Sequence, residues 1–389
     1  MLTIRLAVKN ILGAGWRTWL NVIVLSIAFV AIIGVQGVYE GMSRRAIDAM
    51  IQMQLGAGQF WHPAYDPYDP FALQDAHGEI PAVLDTAVAD GKAVPILISQ
   101  GVVYLKGRMH SVLLNGIPPE QNVLKIPTSA LSSNSEIHVV IGTRMAASLD
   151  VKTGDYVTVR WRDAEGTFDA ADVMISDVME TTVSAVDNNQ IWFALDQLRS
   201  MLDMPGEATI IVRGQGIDHL RSAGEWLFRD IDYLTRDIQD LVQMKTVSMT
   251  IIYTLLMAMA LLAIFDTQIL SLWHRRREMG MLMALGMTRG KLIQLFTLEG
   301  GLHALLAILV GSLYGIPALT WFAQHGFAMP DYAQDTGFPI GEKIFPEYGA
   351  GLVIGTTLLV LISVTVISYL PARRIAKLDP TDALRGRMS

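Results

Sequence analysis

The chain has 389 residues; 51% of them are hydrophobic, only 17% are charged, and the mean hydropathy is +0.37. Such a composition is too apolar for an ordinary soluble domain and indicates segments that lie in a bilayer. The absence of cysteine excludes disulfides, cysteine-ligated zinc and thiol catalysis.

Four segments with few or no charges are long enough to cross a membrane, which requires roughly 20 apolar residues. The predicted fold class is therefore a membrane protein with four transmembrane α-helices and an α+β extracytoplasmic domain inserted between helices 1 and 2. The predicted segments are an amphipathic cytoplasmic helix (1–17), transmembrane helix 1 (18–39), the extracytoplasmic α+β domain with its stalk helices (40–245), transmembrane helix 2 (246–273), a cytoplasmic hairpin (274–296), transmembrane helix 3 (297–324), a short extracytoplasmic loop (325–348), transmembrane helix 4 (349–370) and a cytoplasmic tail (371–389).

The distribution of Lys and Arg predicts the orientation of these spans, because basic residues near span ends stay on the cytoplasmic side. Residues 1–19 carry three basic residues and no acidic one, and 274–291 and 371–389 carry five basic residues each. Arg44 and Arg45 oppose this pattern, but three basic borders outweigh them. We therefore predict that both termini and the hairpin are cytoplasmic and that the large domain lies outside.

The pattern at the start of the chain predicts an amphipathic helix and favours a retained helix over a cleaved signal. Its apolar residues recur at helical spacing, at Ile4, Ala7, Val8, Ile11 and Leu12. The apolar run that follows, 18–39, is 22 residues long and exceeds a signal-peptide core, so an anchor helix that is retained is expected. The helical pattern continues to Leu55 and is expected to end at Gly56.

Within the polar block, short apolar runs bounded by turn residues predict strands, with helical patterns between them. The predicted strands are 93–99, 101–107, 110–117, 137–141, 156–161, 171–180, 190–194 and 209–213. The predicted helices are 143–149, with Thr143 as its cap, 195–203, 216–230 and 231–245, the last running into transmembrane helix 2 without a break.

An aromatic and proline-rich stretch, 58–73, is expected to be an irregular loop. Two interpretations of its rings remain open: a lid or docking surface for an external partner, and side chains that fill the core of the domain. His62 and His77 lie near acidic residues in sequence, but their spacing fits no metal-ligand pattern. Neither a metal site nor a catalytic arrangement is expected.

The hairpin between spans 2 and 3 combines a basic border with a short amphipathic helix. Met279, Leu282, Met283 and Gly286 form one apolar helical stripe outside the predicted spans. An exposed apolar stripe usually needs a partner; the alternative is an ordinary polar loop. Gly286 predicts the end of one helix, and Thr288 predicts the start of the next.

Three ionisable residues, Asp266, Glu299 and His303, fall within or at the edge of the predicted spans. Charge inside a membrane is costly and usually faces the bundle interior. One interpretation is a coupling or proton-linked cluster. The other, which we favour, is that both acids lie near the cytoplasmic border, where they cap helices or pair with residues 275–277.

Glycines four residues apart permit close packing of transmembrane helices. Such pairs occur at Gly37 and Gly41, Gly311 and Gly315, and Gly351 and Gly355. The last pair is the strongest candidate for a helix contact, because its span carries no charge.

Several stretches resemble the permeases of the MacB, LolC/LolE and FtsX superfamily, the mechanotransmission type of ABC transporter. Residues 277–289, REMGMLMALGMTR, resemble the family's hairpin REIG-x-L-x-ALG-x-[TS]-R. Residues 296–300, FTLEG, resemble the opening of its third span, and 369–385, YLPARRIAKLDPTDALR, resemble its terminal tail. In the polar block, 139–159 is similar to the family's IG-x-x-LA-x-x-L-x-V-x-x-GD-x-V-x-V segment.

The resemblance implies a multi-pass permease subunit of a bacterial cytoplasmic (inner) membrane, nearest in character to lipoprotein-releasing permeases. It implies a role in coupling to an ATPase for Glu278, Met279, Leu282, Met283, Leu285, Gly286, Thr288 and Arg289. The sequence contains no GxxxxGK[ST], so this chain is expected to bind no cofactor and not to be an enzyme. ATP and magnesium are expected on a separate cytoplasmic ABC ATPase dimer.

The implied function is to transmit ATP-driven motion to the extracytoplasmic domain, for release or translocation of lipoproteins or other lipophilic cargo. One alternative is an FtsX-like signalling subunit that activates a cell-wall hydrolase without transport. Another is MacB-like efflux of a drug or peptide. Besides the ATPase, the expected partners are a second permease copy or a related permease, a periplasmic carrier or hydrolase, and the lipid bilayer, with no nucleic acid.

Overall fold

The computed structural model describes residues 15–132, 136–181, 183–217, 220–328 and 343–375. Most of the predicted N-terminal helix, of the short extracytoplasmic loop and of the cytoplasmic tail therefore lies outside the described residues. The chain forms two compact units. The described residues of the helical unit are 15–43, 242–328 and 343–375, and those of the α+β unit come from 44–241.

The described helices are α1 (Gly15–Met50), α2 (Ala82–Ala89), α3 (Thr143–Leu149), α4 (Ser184–Asp187), α5 (Leu195–Leu202), α6 (Ile231–Leu234), α7 (Arg236–His274), α8 (Arg276–Ala284), α9 (Arg289–His325) and α10 (Ala350–Ile375). The strands are β1 (Gln59–Trp61), β2 (Gly78–Glu79), β3 (Ala93–Leu105), β4 (Arg108–Ile117), β5 (His138–Gly142), β6 (Tyr156–Arg162), β7 (Phe168–Met179), β8 (Gln190–Ala194), β9 (Glu207–Ala208), β10 (Ile210–Arg213), β11 (Leu227–Arg229), β12 (Phe327–Ala328) and β13 (Lys343–Ile344). A π-helical turn (Ile51–Leu55) extends α1, and 3₁₀ turns lie at Pro70–Gln74 and Thr128–Leu131.

The helices of the helical unit are apolar both where they pack against one another and where they face outward. Among the described residues, four helices are long and apolar enough to cross a bilayer: Trp19–Leu55, Arg236–His274, Arg289–His325 and Ala350–Arg373. They pack through a shared apolar core that includes Val22, Leu25, Phe29, Ile264, Ala304, Ala307, Val360 and Val364. Large apolar side chains such as Met259 and Leu313 point outward and are exposed. Exposed apolar surface on this scale requires a covering, which lipid provides.

The glycine pair on α9 lies directly against α1. A Cβ atom on Gly311 would be 3.0 Å from Cδ1 of Phe29, and one on Gly315 would be 2.7 Å from Cγ2 of Val30. Both glycines are buried. The missing side chains therefore let the two helices approach closely.

The other glycine pairs behave differently. Gly351 and Gly355 on α10 have nothing within 4 Å of their Cβ positions, so the pair favoured by the sequence makes no contact with the described part of this chain. Gly37 and Gly41 do lie in close contact, but with the segment that precedes α10, where Tyr348 packs on Gly37. Only the α9 pair supports a contact between two of these helices.

We expect Gly315→Leu to destabilise the helical unit by about 2 kcal/mol, because the added side chain must displace Val30 from a filled contact. The matched change Gly355→Leu is expected to cost less than about 0.5 kcal/mol, since that position is open. Thermal unfolding of the full chain, with a single copy in each nanodisc, measures both. Equal losses for the two variants would contradict the α1–α9 contact.

The α+β unit is built on a nine-stranded sheet in the order β11-β1-β10-β3-β4-β8-β5-β7-β6. An additional pairing of β3 with β6 closes six of these strands into a ring. Neighbouring strands are antiparallel except for the pairs β4–β8 and β5–β7. A buried apolar cluster joins the ring to α3 and α5, with Val103, Leu114, Val139, Val159, Val173, Ile175, Phe193 and Leu198 among its members.

The strand predictions are confirmed in position, with one difference in β3. This strand runs unbroken from Ala93 to Leu105, whereas the sequence predicted a break near Gly101. A Cβ atom there would lie 2.9 Å from the side chain of Leu114, so glycine marks a close approach within the strand and not a turn. The chain turns instead at Lys106 and Gly107, whose φ angles are 51° and 76°.

The predicted helix at 216–230 is wrong. Its described residues form a turn closed by a bridge between Ala223 and Trp226, followed by β11, which pairs with β1. Gly224 has a φ of 65°, a value that suits a turn and not a helix. Pairing with a distant strand therefore prevails over the local helical pattern.

Two further expectations change at the ends of the domain. The loop predicted at 58–73 contains strand β1, because Phe60 and Trp61 are buried and pair with β10. The helix predicted to run unbroken from 231 is divided at Thr235 into α6 and α7. Thr235 is buried, and its hydroxyl donates to the carbonyl oxygen of Ile231 at 2.7 Å.

The N-terminus of α3 is capped by a residue from elsewhere in the chain. The sequence predicted Thr143 as the cap, but its hydroxyl donates to the carbonyl oxygen of Met179 at 3.0 Å. The carboxylate of Asp187 instead accepts from the backbone N–H groups of Arg144, at 3.0 Å, and Met145, at 3.4 Å. Burial raises the pKa of Asp187, while these two hydrogen bonds act in the opposite direction.

Asp187→Ala is expected to destabilise the α+β unit by about 2 kcal/mol, because the buried N–H of Met145 and the part-buried N–H of Arg144 lose their acceptor. For a unit of this size, that corresponds to roughly 4–8 °C in unfolding temperature. Asp187→Asn retains an acceptor and is expected to cost less. Differential scanning calorimetry of the full chain in nanodiscs tests this order, which equal losses for Ala and Asn would contradict.

The pH dependence of the Asp187 contribution has a definite sign. A carboxyl whose folded pKa is raised binds its proton more tightly in the native state than in the unfolded chain. Its stabilising contribution is present below the ordinary value of 3.8 and is lost as the pH rises through the folded pKa. The free energy of unfolding of the native chain, relative to that of Asp187→Asn, is therefore expected to be higher in acid than at neutral pH.

Candidate functional site

The hairpin between α7 and α9 is a compact helical corner. After α7 ends at His274, α8 spans Arg276–Ala284, and Gly286 then adopts a φ of 95°. The α9 helix begins at Arg289, with Thr288 as its cap, whose Oγ1 accepts from the backbone N–H of Lys291 at 3.4 Å. The predicted break at Gly286 and restart at Thr288 are thus confirmed, and the positive φ explains why glycine occupies the break.

Three of the four residues of the apolar stripe predicted on this hairpin pack against the helical unit, and only the fourth, Gly286, is exposed. Met279 is only 4% exposed, and Leu282 and Met283 are partly buried against the same cluster. The cluster is completed by Leu272 from α7, Leu292 and Phe296 from α9, and Ala372 from α10. The stripe therefore fixes α8 to the helical unit, and the expectation that it forms a free surface is wrong.

The exposed apolar surface of the hairpin lies on the other side of α8. Leu285 is 80% exposed and Met281 is 56% exposed, and their four-residue spacing places them on one helical face. We call Met281 and Leu285 the hairpin tip. Leu285 is among the coupling residues predicted from the sequence and Met281 is not, although the four-residue spacing between them was a usable signal.

Arg275 joins the three helices that meet at this corner. Its Nη1 lies 3.0 Å and 3.1 Å from the two carboxylate oxygens of Glu299 on α9, and its Nε lies 2.9 Å from Oε2 of Glu278 on α8. Glu299 is only 5% exposed. The guanidinium group also lies 5.3 Å from the ring centroid of Phe296. These contacts hold α8 in a fixed position relative to α9.

The three ionisable residues of the spans do not form one cluster. Nδ1 of the buried His303 lies 2.7 Å from the carbonyl oxygen of Glu299, so its contact is with the helix backbone. Asp266 is exposed on α7, and no ion pair joins it to the described residues. Glu299 pairs with Arg275, as the second interpretation expected, but that interpretation expected a cap or a pair for Asp266 as well.

Some rings of the aromatic stretch at 58–73 fill the core of the domain, and others are exposed, so each of the two interpretations left open by the sequence fits part of the stretch. Trp61 is buried, whereas Tyr68 and Phe71 are exposed. His77 pairs with Glu207, and His62 packs edge-on against Trp226. In the part of the chain that the structure describes, no group of three His, Cys, Asp or Glu side chains could hold a metal ion.

The comparisons with known proteins agree on one class. Residues 250–380 match the family described as FtsX-like permease C-terminal, and this range contains α8, α9 and α10. Over 94% of its length, the chain is 22% identical to the lipoprotein-releasing system transmembrane protein LolC of Xylella fastidiosa (strain 9a5c), of which it covers 92%.

Two further relatives extend this result. The chain is 22% identical, over 98% of its length, to the uncharacterized ABC transporter permease YknZ of Bacillus subtilis (strain 168), of which it covers 98%. It is also 23% identical, over 53% of its length, to the macrolide export ATP-binding/permease protein MacB of Psychrobacter cryohalolentis (strain ATCC BAA-1226 / DSM 17306 / VKM B-2378 / K5), of which it covers 27%.

Proposed function

We propose that the chain is an ABC transporter permease of the FtsX, MacB and LolC type and that it functions as these permeases do. A permease is the membrane component of such a transporter, and the family implies a cytoplasmic ABC ATPase as partner. In our proposal, the chain receives motion from an ATPase dimer, which binds ATP and magnesium. It passes that motion to its α+β unit without catalysing a reaction itself.

The exposed hairpin tip is the observation that carries this proposal. Met281 and Leu285 present an apolar surface, while Met279 on the opposite side of α8 is packed into the helical unit. An exposed apolar patch backed by a fixed helix suits a docking surface that must transmit force. The Arg275–Glu299 ion pair supports the same role, because a push on α8 would be carried into α9.

The proposed coupling role extends to the other hairpin residues that the family resemblance implies. Gly286 and Thr288 shape the corner, and Glu278 is held by Arg275. Arg289 is exposed at the start of α9. We propose that Glu278 and Arg289 flank the docking surface and that the buried stripe keeps it in place.

The orientation and assembly are also part of the proposal. Basic borders support cytoplasmic termini and a cytoplasmic hairpin, with the α+β unit outside a bacterial inner membrane. Gly351 and Gly355 leave an open strip on α10, where a second permease copy or a related permease would fit closely. A periplasmic carrier or hydrolase would be reached by the α+β unit.

Release of lipoproteins or other lipophilic cargo is the activity we propose first. Its support is the match with a lipoprotein-releasing transmembrane protein over nearly the full length of both chains. An FtsX-like signalling role without transport and a MacB-like efflux role are the alternatives. The MacB-type relative matches over a smaller share of the chain.

Purification of the complex from its native membrane tests the proposed cargo. We expect an ABC ATPase and lipidated proteins to co-purify, and we expect ATP with magnesium, but not a non-hydrolysable analogue, to lower the bound lipidated protein about fivefold. Mass spectrometry of the bound fraction gives the readout. Recovery of a cell-wall hydrolase without lipidated protein would reject cargo release in favour of signalling.

A further inference from the structure

The α+β unit contains a cleft that the coupling role does not use. It has a volume of about 820 Å³, which falls within the range of small-molecule sites. The π-helical turn after α1, the segment 63–70 and the start of α7 contribute to its walls. Its apolar lining includes Ile96, Ile98, Leu124, Val186, Trp192 and Ile210. These side chains belong to a buried core cluster of the unit.

Two arginines line this cleft without a carboxylate partner among the described residues. Arg229 lies 4.3 Å from the ring centroid of Tyr233 and 5.5 Å from that of Trp61. Its Nε is buried and makes no hydrogen bond to the described residues. The guanidinium group of Arg236 lies 5.2 Å from the ring centroid of the same tyrosine, Tyr233. The aromatic rings hold the guanidinium groups in place but leave their charge unneutralised.

The acidic residues around the cleft are already engaged in local structure. Asp66 accepts from the backbone N–H of Tyr68, and Asp69 accepts from that of Phe71, both at 2.9 Å. Asp237 accepts the hydroxyl hydrogen bond of Tyr68. These hydrogen bonds hold the three carboxylates, which keep their charge, against the segment at the cleft edge, and among the described residues none of them forms an ion pair with Arg229 or Arg236.

We propose that this cleft binds an anionic amphiphile, with its apolar body on the apolar lining and its carboxylate, sulfate or phosphate on Arg229. A guanidinium group matches such oxyanions in charge and in hydrogen-bond geometry. The buried Nε–H of Arg229 gains the acceptor it lacks. Arg236 is exposed and adds a second, weaker attraction.

Photolabelling of the full chain in phosphatidylcholine nanodiscs tests the site. The probe is dodecanoic acid that carries a diazirine, and the matched neutral probe is the corresponding dodecanol. Labelled peptides from the cleft walls are quantified by mass spectrometry relative to labelled peptides of α9. We expect the acid to label the cleft about fivefold more than the alcohol does.

Matched variants identify the anion-binding group. Arg229→Gln is expected to lower labelling by the acid about fivefold, to the level of the alcohol. Arg160→Gln is the control, because Arg160 also lies over an aromatic ring, at 4.3 Å from that of Phe168, but outside the cleft. Arg236→Gln changes an exposed residue, so the variant should fold normally even if Arg229→Gln does not. It is expected to lower labelling by the acid about twofold.

Two results would overturn the proposal: equal labelling of the cleft by acid and alcohol, or unchanged labelling in both cleft variants. Competition separates the sources of the ligand. Loss of label with added dodecanoate indicates a free acid, and loss with phosphatidylglycerol in the disc indicates an anionic lipid. Because no nucleotide or ATPase is present, failure here leaves the coupling role standing, and failure of the coupling role leaves this site standing.

Discussion

Leu285→Glu is expected to lower recovery of the partner ATPase with the chain about tenfold, which corresponds to about 1.4 kcal/mol of binding free energy. A charge on the hairpin tip must be desolvated when the apolar surface is covered, and that cost opposes docking. Leu285 is 80% exposed, so the unfolding temperature of the chain should remain unchanged. Co-purification and calorimetry of the same preparation measure both quantities.

Two further variants test whether this effect is specific to the hairpin tip. Met281→Glu changes the same face of α8 and is expected to weaken ATPase binding in the same direction. Met109→Glu makes an identical substitution at an exposed residue of β4 in the α+β unit, and it should leave ATPase binding intact. ATPase recovery at the native level with Leu285→Glu would remove the hairpin tip from the docking surface.

Arg275→Ala is expected to destabilise the helical unit by about 3 kcal/mol, because it leaves the buried carboxylate of Glu299 without its cation. It also removes the contact of Arg275 with Glu278, which orients α8. We therefore expect a lower unfolding temperature together with weaker stimulation of the partner ATPase. Thermal unfolding in nanodiscs and ATP turnover of the assembled complex measure the two effects.

The reciprocal change separates charge burial from loss of a contact. Glu299→Gln removes the buried negative charge and should cost less than Arg275→Ala. The double variant Arg275→Ala/Glu299→Gln has no buried carboxylate that lacks its cation, so its stability should exceed that of Arg275→Ala alone. Additive losses in the double variant would show that the two residues act independently, contrary to their 3.0 Å contact.

Much of this architecture could be predicted because its causes are local. Length and apolar composition alone select segments that can span a bilayer, and the described helices occupy those segments. The corner of the hairpin was also predictable, since Gly286 and Thr288 act within their own turn of the chain. Most strands of the α+β unit followed from short apolar runs between turn residues.

Other features depend on partners that are distant in sequence. The cap of α3 comes from Asp187, 43 positions from Arg144, so no local pattern could identify it. The stretch 216–230 has a helical pattern, yet its described part includes β11, which pairs with the distant β1. The glycine pairs looked alike in sequence, and only the position of α1 distinguishes Gly311 and Gly315 from the rest.

The sequence by itself determined that this chain has apolar helices long enough to cross a membrane and a hairpin with a glycine corner, because hydrophobic length and turn chemistry are properties of neighbouring residues. Only the tertiary structure decided which face of α8 is free. Helical spacing shows that Met279 and Leu285 lie on different faces, but burial depends on where α7, α9 and α10 pack. The same packing buries Met279 and leaves Leu285 exposed at the hairpin tip.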